Sequence, residues 1–555
     1  MTRPLLSALI GLTVLTAGPA AWQAPATPRD AAPRLVVLLV VDQFRADYVT
    51  EYGSQWTRGL RRLIDRGATF PLAAYPYAAT KTCVGHATIS TGTLPRRHGM
   101  IDNAWFNRER QKSMPCTDAP EVAPVAFGGR TGHEQHGPRL LLEPTLSDRI
   151  AEQGGGRARI VSLSLKARSA IGLGGHGGPG TMVVWEEDDG TWATSTAYTQ
   201  TPWTAVDAFV RANPIADEAL ATWTKLLPGG AYRYDDSAPG EPRDATFPHA
   251  IGDASRADNP GWVGRWERSP FSDAYLGRMA ASLADTLTLG QGPQVDLLAV
   301  SFSALDLVGH AFGPRSHEVQ DTLARLDAAL GDLFDTLDRT VGDGRYVVGL
   351  SADHGVALLP EQAAALGRDG GRLSTTELRQ AAERALDDTL GDGTWVANAT
   401  SPFLYFTPGT ADRVRRSPRA RDAVTTALLR TQGVWRVYWA DELAQPDPSD
   451  ALAMSLARSF VADRSGDVAV VTRPGWIPQS TGTTHGSPHD YDIRVPVILY
   501  GAGVSQGSYA TPATPADLAP TLAHVAGIAM PGTDGRVLGE AIHAVSRLAG
   551  TAGGR

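Results

Sequence analysis

Basic residues are in deficit in this chain. Its 51 Lys+Arg face 59 Asp+Glu, a formal net charge of −8, which makes a nucleic-acid duplex or an anionic membrane a poor main partner. Cysteine is scarcer still, with Cys83 and Cys116 alone among 555 residues. An even pair in an oxidising compartment can close a disulfide, and one between Cys83 and Cys116 is expected. Long hydrophobic runs are missing too. The first, Leu5 to Leu15, falls short of the roughly 18 residues a spanning helix needs, and Leu35 to Val41 (LVVLLVV) has the length of a strand. No Cys follows the first run, which excludes a lipid anchor on an N-terminal cysteine. No repeat at roughly 20 to 50 residues is visible, so solenoids and propellers are excluded.

The same N-terminal stretch has a positive reading. Arg3, the apolar run and the small residues from Ala17 to Ala26 have the order of a secretory signal, residues 1–26. Export follows as the expectation: a periplasmic or secreted protein without a stable membrane anchor. With 42% hydrophobic and 20% charged residues, the remainder has the composition of a globular protein with a large core.

Several apolar, β-rich runs recur along it: Leu35 to Val41, Ala158 to Leu165, Val295 to Phe302, Tyr346 to Leu350 and Val495 to Tyr500. Continuous rather than alternating hydrophobicity suits strands buried on both faces, and helical stretches such as Asp321 to Leu337 lie between them. The pattern predicts an α/β fold, a mostly parallel sheet covered by helices on both sides, spanning residues 34–545. Two stretches, about 170–290 and 385–480, are rich in Trp, including Trp185, Trp192, Trp223, Trp266, Trp395 and Trp439. They are expected to be insertions capping the catalytic end, with most of the Trp residues packing inside them.

Ligands of such sheets bind beyond the carboxyl ends of the strands, and chemically capable residues stand there. Asp42 follows the first run, Lys166 and Arg168 the second, Asp306 and His310 (DLVGH) the third, Asp353 and His354 (SADHG) the fourth. Asp306 and His310 are four apart, on one face of a helical turn. Lys166 and Arg168 are expected to project to one side from an extended backbone. With His485 in TTHGSPHDY the chain offers three Asp and three His, two sets of three, each leaving an open position on a zinc-like ion.

The segment TKTCVGHATISTGTLPRRHGMIDNAWF, residues 80–106, completes the pattern. With VVDQFRADY, KAR, DLVGH, SADHG and THGSPHDYDIRVPV in this order from about residue 35 to 500, the chain resembles the alkaline phosphatase superfamily. The resemblance is to its secreted single-domain phosphatases that use a Thr nucleophile and are related to type I phosphodiesterases and nucleotide pyrophosphatases. It implies a three-layer α/β/α sandwich with cap insertions and an enzyme that hydrolyses small phosphate monoesters through a covalent phosphothreonine. Thr82 would be the nucleophile and a ligand of one metal, held also by Asp42, Asp353 and His354. Asp306, His310 and His485 would hold the second, and both ions would be Zn2+. Asn103, Lys166 and Arg168 would bind the substrate phosphate, a set that monoesterases of the family carry and diesterase relatives lack. His86 and His98 are read as structural, and His489 as the rival that the THG context of His485 displaces.

Two other readings stay open. One is a phosphodiesterase or nucleotide pyrophosphatase of the same fold, the other a binding protein that keeps the fold without catalysis. A sulfatase is excluded, because its Cys-x-Pro-x-Arg segment is replaced by Val84, Gly85, His86 and Ala87 after Cys83.

Overall fold

Seven apolar residues in a row, Leu35–Val41, need cover on both faces when they form a strand, and all seven are fully buried. Leu35, Val37, Leu39 and Val41 pack into one hydrophobic cluster with the helices Gly59–Arg66, Pro270–Thr286 and His317–Leu337. Val36, Leu38 and Val40 pack into a second with the helices Leu146–Gln153 and Leu518–Ala526. This period of two divides the side chains between the faces of the sheet. The protein is therefore a three-layer α/β/α sandwich. The structure, a computed structural model, describes Met1 and residues 32–252 and 261–543. The expected signal, residues 1–26, lies outside the described residues apart from Met1.

Named by their first residues, the ten strands of the central sheet lie in the order Gly507, Ala68, Val497, Tyr346, Leu35, Asp296, Ile160, Thr181, Thr191, Pro124. The five from Tyr346 to Thr181 are parallel to their neighbours within that group, and the strands at Val497 and Thr191 turn antiparallel on either side. The carboxyl ends of the four parallel strands starting at Leu35, Ile160, Asp296 and Tyr346 point the same way, which gathers Asp42, Lys166, Asp306 and Asp353 at one end of the sheet.

The stretch 170–290 departs from its expected role. Its strands Thr181–Glu187 and Thr191–Ser195 belong to the central sheet, and its helix Pro270–Thr286 packs in the central core. A tight hairpin simply extends the sheet, and the Gly- and Trp-rich composition hid it. Trp185, Trp192, Trp223 and Trp266 are fully buried, as packing residues are. The second stretch is a separate unit, although it begins earlier than expected, with the helix Thr375–Leu390. A four-stranded antiparallel sheet, Val396–Ala399, Phe403–Phe406, Val468–Thr472 and Val434–Trp439, packs with that helix and with Pro418–Arg430 around its own core. It leans on the segment after Asn103, through Phe106 against Tyr405 and Arg108 on Asp467.

Candidate active site

Thr82 opens the helix Thr82–Thr91, a ten-residue element with every residue buried. So polar a helix can be buried only if its side chains find partners, and they do. His86 Nδ1 bonds the Thr82 carbonyl (2.8 Å) and its Nε2 bonds Ser301 Oγ (2.7 Å), while His98 Nε2 meets Thr88 Oγ1 at 3.0 Å. Burial pushes the imidazole of His86 down to about 4 and that of His98 to about 3, so both sit neutral within the fold. Gly85 lets the helix approach the catalytic end closely: a Cβ there would lie 2.4 Å from the Asp353 carbonyl oxygen.

The hydroxyl of Thr82 lies 3.5 Å from Asn103 Nδ2 and 3.5 Å from His354 Nε2. Asn103 is aimed by the backbone N–H of Cys83, which donates to its Oδ1 at 2.8 Å. A disulfide between Cys83 and Cys116, Cα atoms 6.7 Å apart, ties the start of the helix to the end of the hairpin Ala104–Pro115 that follows Asn103.

Around Thr82 the six Asp and His residues fall into two groups whose donor atoms approach within 4.8 Å: Asp42, Asp353, His354, and Asp306, His310, His485. His354 Nε2 lies 3.4 Å from Asp42 Oδ1 and 3.3 Å from Asp353 Oδ2; His310 Nε2 and His485 Nε2 lie 3.1 and 3.8 Å from Asp306 Oδ1. Each imidazole has its Nδ1 on a backbone carbonyl, His354 on Gly355 (3.0 Å), His310 on Thr483 (2.6 Å) and His485 on Thr80 (2.7 Å). An Nδ1–H donated to a carbonyl leaves Nε2 with a free lone pair, the arrangement of a metal-ligating histidine. Burial pushes His354 down to about 3 and His485 well below the usual imidazole range. Asp42 Oδ1 and Asp353 Oδ2 are buried without a hydrogen-bond partner. Burial and the adjacent Asp42 raise the Asp353 carboxyl well above the usual range. Two such carboxylates, left facing each other, call for a cation between them, so the residues fit divalent metal ions. His489 stands apart, its Nε2 on the Thr472 carbonyl at 2.9 Å.

A third Asp/His group among the described residues, His133, Glu187 and Asp189, lies outside this site. Its oxygens are taken by protein donors, Glu187 by the N–H groups of His133 and Glu134 and Asp189 by Arg130.

Lys166 reaches between the two groups. Its ammonium bonds Asp42 Oδ2 at 2.6 Å and Asp306 Oδ2. Burial alone would lower its pKa, but Asp306 and Asp42 overcome that and raise it. Burial likewise works to raise Asp306, yet His310 and Lys166 hold that carboxyl well below the usual range. The backbone differs from expectation here: Lys166 is extended (φ −99°, ψ 126°), but the helix Ala167–Gly174 starts at once, so Arg168 stands in its first turn. Glycines let that helix pack closely: a Cβ at Gly174 would lie 2.5 Å from Val183 Cγ2 and 3.2 Å from Ser162 Cβ of the sheet, and one at Gly172 would lie 2.9 Å from His86 Cβ of the Thr82 helix. Arg168 Nε is buried with no partner, a donor free for an anion.

Three further residues support this arrangement: Gln43 and Asp273, which the sequence did not single out, and Thr80, by residue type a rival nucleophile to Thr82. Gln43 contacts Asp306 and Asp353. Thr80 holds the His485 loop through its carbonyl and through its hydroxyl on the Ser487 carbonyl (2.9 Å). Asp273 accepts from the N–H groups of Ser303 and Ala304 (2.9 and 3.1 Å) and so caps the helix Ala304–Phe312 that carries Asp306 and His310. Gln43 adjoins a candidate ligand, a signal that was available; Asp273 sits in the first turn of the helix Pro270–Thr286, far from any motif, with none.

Residues 36–492 match the model of the family described as type I phosphodiesterase / nucleotide pyrophosphatase, and the chain belongs to that family, within the alkaline phosphatase superfamily. Among individual proteins it is 32% identical to alkaline phosphatase PafA of Elizabethkingia meningoseptica, over 96% of this chain and 98% of that one. It is 29% identical to alkaline phosphatase PhoV of Synechococcus elongatus, over 92% of each. The crystal structure of wild-type PafA matches with a TM-score of 0.85 at 31% identity, covering 93% of this chain and 100% of that one. A crystallised variant of PafA carries replacements of one threonine, one asparagine, one lysine and one arginine.

Proposed function

We propose that the protein is an exported, metal-dependent phosphatase that hydrolyses small phosphate monoesters through a phosphothreonine at Thr82. The observation that carries this reading is the meeting of Thr82 Oγ1 with Asn103 Nδ2 and His354 Nε2, each at 3.5 Å. A hydroxyl, a neutral donor and the edge of a ligand group share one point there. The alkaline phosphatases similar along nearly the whole chain support the same reading. So does the set of residue types replaced in the PafA variant, which are those of Thr82, Asn103, Lys166 and Arg168. Export rests on the N-terminal signal pattern. No helix among the described residues is long and apolar enough to cross a membrane.

Asp42, Asp353 and His354 would hold one divalent cation beside Thr82, and Asp306, His310 and His485 a second, both zinc by their mixed oxygen and imidazole donors. Such a pair supplies charge that lowers the pKa of a nearby hydroxyl and offsets charge on a departing oxygen. Thr82 Oγ gives up its proton to solvent and forms the bond to phosphorus as the ester P–O bond breaks, and the leaving alkoxide takes a proton from solvent. Water then attacks phosphorus, freeing Thr82 and orthophosphate. Asn103 Nδ2 donates to a non-bridging oxygen, held in place by the Cys83 N–H on its other side. The helix that starts at Thr82 turns the positive end of its dipole to the same charge. Lys166 and Arg168 compensate the further charge of a dianionic monoester, and the bidentate geometry of a guanidinium suits it to that task.

A comparison of kcat/KM on an aryl phosphate monoester and its methyl diester, with metal analysis of the same sample, tests this. Preference for the monoester with two zinc ions per chain is expected. Preference for the diester would make the protein a phosphodiesterase of the same fold, and no hydrolysis of either would leave a binding protein.

A further inference from the structure

Gln43 reaches both ligand groups through two different bonds. Its backbone N–H donates to Asp353 Oδ1 at 3.1 Å, and its side-chain Nε2 donates to Asp306 Oδ1 at 2.6 Å and approaches the Asp306 carbonyl at 3.4 Å. The residue is 1% exposed. Its backbone stands at φ 69°, in the left-handed region that a long side chain rarely adopts. A turn of that kind at the end of the first strand aims the N–H one way, to the Tyr346–Ser351 side, and the side chain the other, to the Asp296–Phe302 side. Space has been left for the amide: Gly309, next to His310, would with a Cβ come within 1.9 Å of Gln43 Oε1. That oxygen is buried without a partner, so the amide is held by its donor end alone.

We propose that Gln43 is a positioning residue that sets the two cation sites relative to each other. Its amide orients Asp306 in one site while its backbone N–H orients Asp353 in the other. The inference rests on the reading of the six Asp and His side chains as cation ligands. A hydrogen bond to one lobe of a carboxylate oxygen fixes the direction of the remaining lone pairs, which is how residues behind a ligand tune metal affinity. The division of labour gives the proposal its test. Changing the side chain removes the bond to Asp306 and spares the bond to Asp353.

Two variants separate reach from packing. Gln43→Asn keeps an amide and suits the left-handed backbone but is one methylene too short; Gln43→Met keeps the length and lacks the donor. The metal-free full chain is titrated with Zn2+ against a chromophoric chelator. Both variants should weaken one of two zinc dissociation constants by about 10- to 100-fold and leave the other unchanged. Equal weakening of both sites, no weakening, or weakening by Asn but not by Met would overturn the proposal. Should neither variant fold, Gly309→Ala crowds the amide from the opposite side. It should weaken the same single site, and unchanged binding would again overturn the role of Gln43. The unaltered protein separates the two levels. If it fails to bind two zinc ions, the ligand reading falls and this inference with it, whereas two ions with indifferent variants remove Gln43 alone.

Discussion

The two ligand groups sit a few ångströms from a shared lysine yet differ in their access to water. The side chains of Asp42, Asp353 and His354 are 0% exposed, whereas that of His310 in the second group is 28% exposed. The closed group lies under the start of the Thr82 helix, and the open one is completed by His485 from a loop that Thr80 ties down. In the proposed mechanism the closed group therefore serves the nucleophile and the open one faces the departing oxygen. The fold explains the asymmetry. Asp42 and Asp353 follow two adjacent strands in the middle of the sheet, while His310 lies in the second turn of the helix Ala304–Phe312, on its partly exposed side.

The sharpest test of the closed side is Thr82→Ala. It should lower monoester kcat by about 10⁴- to 10⁶-fold, the range for removing an activated nucleophile. Metal content should stay intact, because three other ligands remain. Steady-state kinetics with metal analysis checks both, and wild-type kcat would assign the nucleophile elsewhere.

Removing one ligand from each group should break the symmetry between them. Asp353→Ala and His310→Ala should each lower activity by at least about 10²-fold, since losing an outer-shell partner alone costs about 10 to 100. Their effects on stability should diverge. Loss of Asp353 leaves Asp42 and His354 facing a void sealed from water, a costly arrangement, whereas water can replace the partly exposed His310. Thermal melts of the two variants should show the larger drop in Tm for Asp353→Ala. Timed chelation of the unaltered protein should be biphasic, the ion of the open group leaving first. A single phase, with equal melts, would erase the distinction.

Lys166 and Arg168 address the substrate rather than the ions. Replacing either by Ala should lower monoester kcat/KM by about 10² to 10³, as for a lost oxyanion donor. The double variant should fall further but short of additivity, because the side chains act on one group. A diester lacks the extra charge, so its hydrolysis should fall much less. Equal losses on both substrates would place the pair in the support of the fold, a role Lys166 already partly fills through Asp42 and Asp306.

Most of this arrangement is legible in the sequence, for a physical reason. Strands buried on both faces are continuous apolar runs, and the first polar residue after such a run must sit at the end of the sheet. Asp42, Lys166, Asp306 and Asp353 could be read in that way. His485 could not, since the strand near it, Val497–Gly501, follows it and runs antiparallel; it was a candidate by residue type in TTHGSPHDY, and the family motif was what favoured it over His489. The hairpin Thr181–Glu187 and Thr191–Ser195 was missed because strands among glycines and tryptophans look like an insertion. Bonds such as Asp273 to Ser303 and Ala304 join residues about 30 apart across two elements, and no local pattern encodes them.

The smallest expected effect on catalysis concerns the Cys83–Cys116 disulfide, which bears on the closed side alone. It joins the residue after Thr82 to a strand end 33 positions on, and Cys116 N–H bonds the Asn103 carbonyl at 2.9 Å. On the chain-entropy account, closing a loop of this length contributes about 3 to 4 kcal/mol. A Cys83→Ser, Cys116→Ser variant should therefore lose about that much unfolding free energy and unfold at a lower denaturant concentration. Both thiols are buried among apolar residues of the main core, so the serines add a further penalty that the reduced wild type does not carry. The cleaner measurement compares oxidised and reduced wild type in guanidinium, with thiol counts on the denatured protein. Asn103 should remain aimed at Thr82 in the reduced form, because the Cys83 N–H to Oδ1 bond is a backbone contact that does not need the bridge. Monoester kcat should thus change less than for Lys166→Ala, and both zinc ions should stay bound. A collapse of kcat on reduction, with the fold intact, would mean that the covalent tie and not the amide bond holds Asn103 against the nucleophile.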